Sequence, residues 1–189
     1  MPKISTYSTV TPADGDLILI TDASDSNNTK NVTVSALRSS ISSYTEIYDA
    51  TASNSTAIAI AGNFYLMATD TTQGLTNDVT LTTNSAGRVT NTSGVSKTFA
   101  VTYSVSATAS SGNNQNLMFR LVRNGQINSI PHSETDTVTG TGGGSKAASV
   151  SNTVLVTLAN NDYVEIYCTN NTAANAVVLE HLNLVLRQI

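Results

Sequence analysis

The stretch Lys97-Thr98-Phe99-Ala100-Val101-Thr102-Tyr103-Ser104-Val105-Ser106 decides the fold class. Phe99, Val101, Tyr103 and Val105 alternate with Thr98, Ala100, Thr102 and Ser104. This period of two puts the large apolar side chains on one face of a strand and the small or hydroxylated ones on the other, which predicts a sheet with one buried side. Downstream, Leu117, Phe119 and Leu121 alternate with Met118, Arg120 and Val122. Asn124-Gly125 then supplies the strongest short hairpin signal in the chain.

Working outward, strand signals recur at 79–82, 88–92, 150–158, 163–169 and 176–187, with turns at Gly87, Gly94 and Asn160-Asn161-Asp162. Residues 131–145, with glycines at 140 and 142–144, read as a long loop. Regularly spaced strands with turn punctuation predict an all-β chain built as an antiparallel sandwich. Two strands read as apolar on both faces. Val164, Ile166 and Cys168 oppose Tyr163, Glu165 and Tyr167, while Val177, Leu179 and Val185 oppose Val178, Leu182, Leu184 and Leu186. Such strands are normally covered on both sides. In a two-layer sandwich the second cover is most simply another subunit, so Tyr163, Tyr167, Val177, Leu179 and His181 are the interface candidates.

The first forty residues read differently. Leu17-Ile18-Leu19-Ile20 and Lys30-Asn31-Val32-Thr33-Val34 predict two short strands around a polar turn. Ser35 is placed to cap a helix of at most two turns, with Leu37 and Ile41 four residues apart on one face. A hairpin with a stub of helix buries too little to stand alone and must pack on its own copies or on a larger body. The expected organisation is therefore an attachment unit at 1–43, a linker at 44–56 running into a first strand, and a β-sandwich at 57–189. Docking candidates are Leu17, Ile18, Leu19, Ile20, Val32, Val34, Leu37 and Ile41.

Composition narrows the function. Charged residues are 12% of 189, about half the usual share. In their place stand 29 Thr, 23 Ser and 20 Asn. A net charge of −4 argues against nucleic acid, and no apolar run approaches the roughly 20 residues of a membrane span. The opening Met1-Pro2-Lys3-Ile4-Ser5 offers no apolar signal-peptide core. Cys168 is the single cysteine, so no internal disulfide forms, and its place beside Val164 and Ile166 makes it a buried, inert thiol.

Catalytic patterns are thin. His132-Ser133-Glu134 with Asp136 clusters a base, a hydroxyl and two carboxylates, but neighbours in one loop rarely reach nucleophile geometry. The glycines before Ser145-Lys146 lack the Gly-Lys-Ser/Thr order of a phosphate loop. Asp22, Asp25 and Asn27 lack the glycine and distal glutamate of a calcium loop. Asn-x-Ser/Thr sequons at Asn27, Asn31, Asn54, Asn91 and Asn170 match the five or six, roughly, that this composition yields by chance. A glycan-cleaving enzyme would need a carboxylate pair from Glu134, Asp136, Glu165 and Glu180. The expectation is no catalytic, cofactor-binding or metal residue.

Four segments resemble the tumour-necrosis-factor-like jelly roll found in knobs of phage and large-virus virion proteins. They are Gly87-Arg88-Val89-Thr90-Asn91-Thr92-Ser93-Gly94, the strand from Thr98 to Ser106, Phe119-Arg120-Leu121-Val122-Arg123-Asn124-Gly125, and Leu158-Ala159-Asn160-Asn161-Asp162-Tyr163-Val164-Glu165. Separately, Pro12-Ala13-Asp14-Gly15-Asp16-Leu17-Ile18-Leu19-Ile20 with Lys30-Asn31-Val32-Thr33-Val34-Ser35-Ala36-Leu37 is similar to the attachment segment that opens many phage fibre and virion structural proteins. The resemblance implies a non-enzymatic homotrimer of the virion, made in the host cytoplasm. It would be a head fibre, capsid decoration or tail-fibre component, docked by its N-terminal unit on a capsid or tail protein. The alternative it carries is a receptor-binding tip, with loops 110–116 and 131–145 touching a host receptor or surface glycan. A glycan-cleaving virion enzyme is the remoter alternative.

Overall fold

The structure, a computed structural model, describes residues 13, 15–34, 43–51, 53–77, 81–140 and 146–189. The chain divides into two units, 1–42 and 43–189.

In the first unit, β1 (Leu17–Asp22) pairs antiparallel with β2 (Asn28–Thr33), Leu17 opposite Thr33 and Ile20 opposite Lys30. Ser26 and Asn27 take positive φ in the turn between them. The short helix expected after Ser35, with Leu37 and Ile41, lies outside the described residues.

Among the described residues, the second unit holds twelve strands. In chain order these are β3 (Tyr44–Asp49), β4 (Ser55–Thr56), β5 (Tyr65–Leu66), β6 (Thr72–Thr76), β7 (Leu81–Thr83) and β8 (Val89–Asn91). There follow β9 (Lys97–Ala109), β10 (Asn116–Arg123), β11 (Glu134–Val138), β12 (Ala148–Leu158), β13 (Tyr163–Asn170) and β14 (Val177–Gln188). One sheet runs β12-β9-β14-β3-β6 with β4 on β14, and the other runs β11-β10-β13-β8-β7 with β5 on β13. The antiparallel pairs are nested: β3 with β14, β8 with β13, β9 with β12, β10 with β11. Those are the pairs of one long hairpin folded over on itself, which makes the unit a jelly-roll β-sandwich. Its innermost turn is Asn124-Gly125, both at positive φ and closed by the Arg123–Gln126 bridge.

The alternation that began the reading builds the core. Phe99, Val101, Tyr103 and Val105 are buried, as are Leu117, Phe119 and Leu121 of β10 and Val164, Ile166 and Cys168 of β13 on the facing sheet. Inside this apolar layer the Tyr103 hydroxyl donates to the Ser133 carbonyl at 2.6 Å. Burial pushes its pKa up to about 12.

Four expectations are corrected. Residues 44–56 are no linker: β3 is an inner strand whose Thr45, Ile47 and Asp49 face inward, so the sandwich starts at 43. Threonine and aspartate on its inward face hid the alternation. Residues 131–145 are not one loop, since β11 pairs with β10, Glu134 opposite Arg120. The last strand is not apolar on two faces. A β-bulge between Leu179 and His181 shifts the phase by one residue, so Val177, Leu179, Leu182, Leu184 and Leu186 all enter the same core. Finally, the second face of β13 is covered by this chain itself, as described next.

Candidate functional site

The sequence-predicted residues scatter. Val177 and Leu179 are buried in the protomer's own core and offer nothing to a neighbour. Tyr163 and Tyr167 belong to β13 and His181 to β14, on different sheets, so the five candidates share no surface. In the catalytic cluster, the Ser133 hydroxyl is buried and turned to the carbonyls of Leu121 and Ile130, both at 2.9 Å. His132 is exposed at positive φ. Glu134 forms an ion pair with Arg120, and Asp136 accepts from Asn116 at 3.2 Å. Among the described residues no three His, Cys, Asp or Glu side chains gather as a metal site, and no helix is long and apolar enough to cross a membrane. Burial pushes the Cys168 thiol up to about 12, which keeps it protonated and unreactive.

The outer face of β13 is closed by the chain. Glu165, buried there, accepts from Arg88 Nε at 2.9 Å and pairs with its Nη2 at 2.7 Å. The same guanidinium lies 3.8 Å over the Tyr163 ring. Gly125, in the turn after β10, sits against the Tyr163 and Tyr167 hydroxyls, each 3.7 Å from where its Cβ would stand. Burial, then the nearby Glu165 charge, raises the Tyr167 pKa. That turn is clamped by Asn124, whose Nδ2 donates to Asp162 at 2.6 Å and whose Oδ1 accepts from the Tyr163 amide at 2.9 Å. The Asn124 bond, with lesser help from the Ala159 amide and the Arg123 charge, outweighs desolvation and lowers the Asp162 pKa.

Among the described residues, the outer face of the other sheet is left exposed. Its register lays side chains in rows across four strands: Leu155, Ala100, Arg187 and Tyr44, then Thr153, Thr102, Val185 and Glu46, then Ser151, Ser104, Asn183 and Tyr48. Threonine pairs bridge β9 and β12, with hydroxyl oxygens 2.9 Å apart for Thr98 and Thr157 and 2.8 Å apart for Thr102 and Thr153. Arg187 and Glu46 are the charged members of these rows, and Glu46 Oε1 accepts from Asn183 at 2.5 Å. Leu155 is 66% exposed. Ten of these twelve side chains are uncharged, and the small ones among them lose little hydration and little rotamer freedom when covered.

The hairpin unit offers a second surface. Leu17, Ile18, Leu19 and Ile20 are all exposed, Leu19 at 72%. Val32 is half-buried, but Val34 is buried and is withdrawn as a docking residue. A two-stranded ribbon also leaves a row of unpaired backbone groups along its free edges.

A third feature was not legible in the sequence. A cleft of about 520 Å³ opens between the segment 62–65, Arg120 of β10 and residues 127–128. Its lining comes from three separate stretches that only the fold brings together.

No family model matches the chain, and no curated protein does. Among solved structures, the PRD1 vertex protein P5 is similar at 13% identity and TM-score 0.45, over 78% of this chain and 96% of that one. Murine APRIL is similar at 11% identity and TM-score 0.49, over 79% of this chain and all of the other. The globular domain of zebrafish complement 1qA protein follows at 11% identity and TM-score 0.43, over 79% and 97%. The jelly-roll assignment itself rests on the nested strand pairs.

Proposed function

We propose that the chain is a non-enzymatic virion protein, a homotrimeric fibre or decoration component held to the particle by residues 1–42. The observation that carries the reading is the exposed run Leu17-Ile18-Leu19-Ile20 on a ribbon that contributes no residue to the core cluster among the described residues, whereas the sandwich has a complete core. Covering those four side chains to the extent they are now exposed is worth about 4 kcal/mol before the cost of association. The two-unit layout and the resemblance of the N-terminal segment to phage attachment segments support the virion as the partner. Self-association is assigned to the bare sheet face of Ala100, Thr102, Ser104, Leu155 and Val185, not to the five residues first expected. The ion pairs that occupy Glu134 and Glu165 favour contact over glycan cleavage.

The test is co-sedimentation of the purified full chain with virus particles from the same source. Wild type is expected in the particle fraction, and Leu17→Asp with Leu19→Asp is expected to weaken capture at least 100-fold while the melting of 43–189 stays unchanged. Equal capture of the double variant would contradict the docking assignment.

A further inference from the structure

Most polar groups buried in 43–189 have their bonds filled. Asp49 accepts from Thr51, Asn54 and Asp70, Asn91 donates to three carbonyls, and Glu165 is held by Arg88. The cleft at Gly62, Asn63, Phe64, Tyr65, Arg120, Ile127 and Asn128 is different. Its walls are fixed, yet part of its hydrogen-bonding capacity is unused.

The fixing is explicit. On one side, the Gly62 amide donates to the Asn170 carbonyl at 3.1 Å and the Met67 amide to that of Ile166 at 3.0 Å, which pins the aromatic segment along β13. On the other, Arg120 Nη1 donates to the Ile127 carbonyl at 2.9 Å and to Asn128 Oδ1 at 2.7 Å, holding the far wall. The guanidinium lies 4.5 Å from the Phe64 ring centroid and is neutralised by Glu134. The unused capacity is equally specific. Among the described residues, the Asn63 side chain and Asn128 Nδ2 have no hydrogen-bond partner, while the Tyr65 hydroxyl accepts from the Ile60 amide and keeps its own proton to donate.

An aromatic ring and the Ile127 side chain, flanked by amides and a phenol that both donate and accept, match a ligand with apolar C–H faces and vicinal hydroxyls. The volume lies within the range of about 300–1,000 Å³ usual for small-ligand sites. Arg120 is the charged member of the lining and is already paired, so neither an anion nor a cation gains from the site. The geometry points to a binding site for an uncharged saccharide, with Ile127 and the part of the Phe64 ring that Arg120 leaves uncovered as the apolar contacts and Asn63, Tyr65 and Asn128 as the hydroxyl contacts. The lining includes no residue of loops 110–116 or 131–145. Arg120 belongs to the other sheet, not to the face assigned to self-association, so the site does not depend on the trimer. Its failure and the failure of the trimer are separate results.

The test uses the full chain and saturation-transfer NMR against lactose, cellobiose, maltose and chitobiose, with sialyllactose and a glucuronic-acid disaccharide as charged counterparts. At least one neutral disaccharide is expected to bind saturably with Kd on the order of 1 mM. Asn63→Ala, at an exposed residue with no side-chain partner to lose, is expected to weaken it tenfold with unchanged melting. Phe64→Leu should weaken it at least as much. Saturable binding by none of the neutral sugars, tighter binding of the acidic sugars, or insensitivity to Asn63→Ala would each overturn the assignment.

Discussion

The two sheets of the jelly roll share one core yet finish their outer faces in opposite ways. Over β13 the chain spends an Arg–Glu pair, two tyrosines and a clamped Asn-Gly turn to close the face with its own residues. Over β9 and β14 it leaves rows of Ser, Thr, Ala and Val with Leu155 standing exposed. A face that is finished internally must fail when its internal partners are removed. A face left bare can change without harming the fold, and any loss there is a loss of contact with something else.

The largest expected effect is on the closed face. Arg88→Ala strands the buried Glu165 carboxylate and should cost about 3 kcal/mol in denaturant unfolding, most of it recovered by adding Glu165→Gln. Full cost in the double variant would show that Arg88 acts by packing alone. Next comes the Asp49 carboxylate, which fastens β3 to the following segments. Burial alone would raise its pKa, but donation from the Asp70 amide, from the Thr51 hydroxyl and amide, and from Asn54 outweighs that and lowers it below the usual 3.8. A depressed native pKa stabilises the fold above the unfolded value, and that contribution fades as pH falls through the native pKa. Asp49→Asn should therefore cost about 2 kcal/mol at neutral pH and flatten the stability profile below about pH 4. The smallest effect belongs to the bare face, where Thr102→Ala should alter unfolding by no more than about 0.5 kcal/mol.

The same contrast explains what was legible. Strict alternation in Phe99, Val101, Tyr103 and Val105 announced the sandwich, and Asn124-Gly125 marked the turn inside the four nested strand pairs. The short strands β4, β5 and β6 carry no periodic signal, because partners distant in the sequence, β14, β13 and β3 respectively, hold them in place. The bulge at Glu180 was invisible, since one inserted residue turns a single apolar face into an apparent two-faced pattern. Val177 and Leu179, interface candidates on that apparent pattern, are core. The cleft at Phe64 joins positions up to some sixty residues apart and leaves no local motif.

In the trimer proposed above, the exposed sheet face meets copies of itself. Light scattering on the full chain tests it directly, comparing wild type with Ala100→Arg, a second positive charge placed in the rows opposite Arg187. A mass of three times 19.7 kDa for wild type and of one chain for a still-folded Ala100→Arg is the expected result. A single-chain mass for wild type, or a trimer that tolerates the arginine, would contradict it.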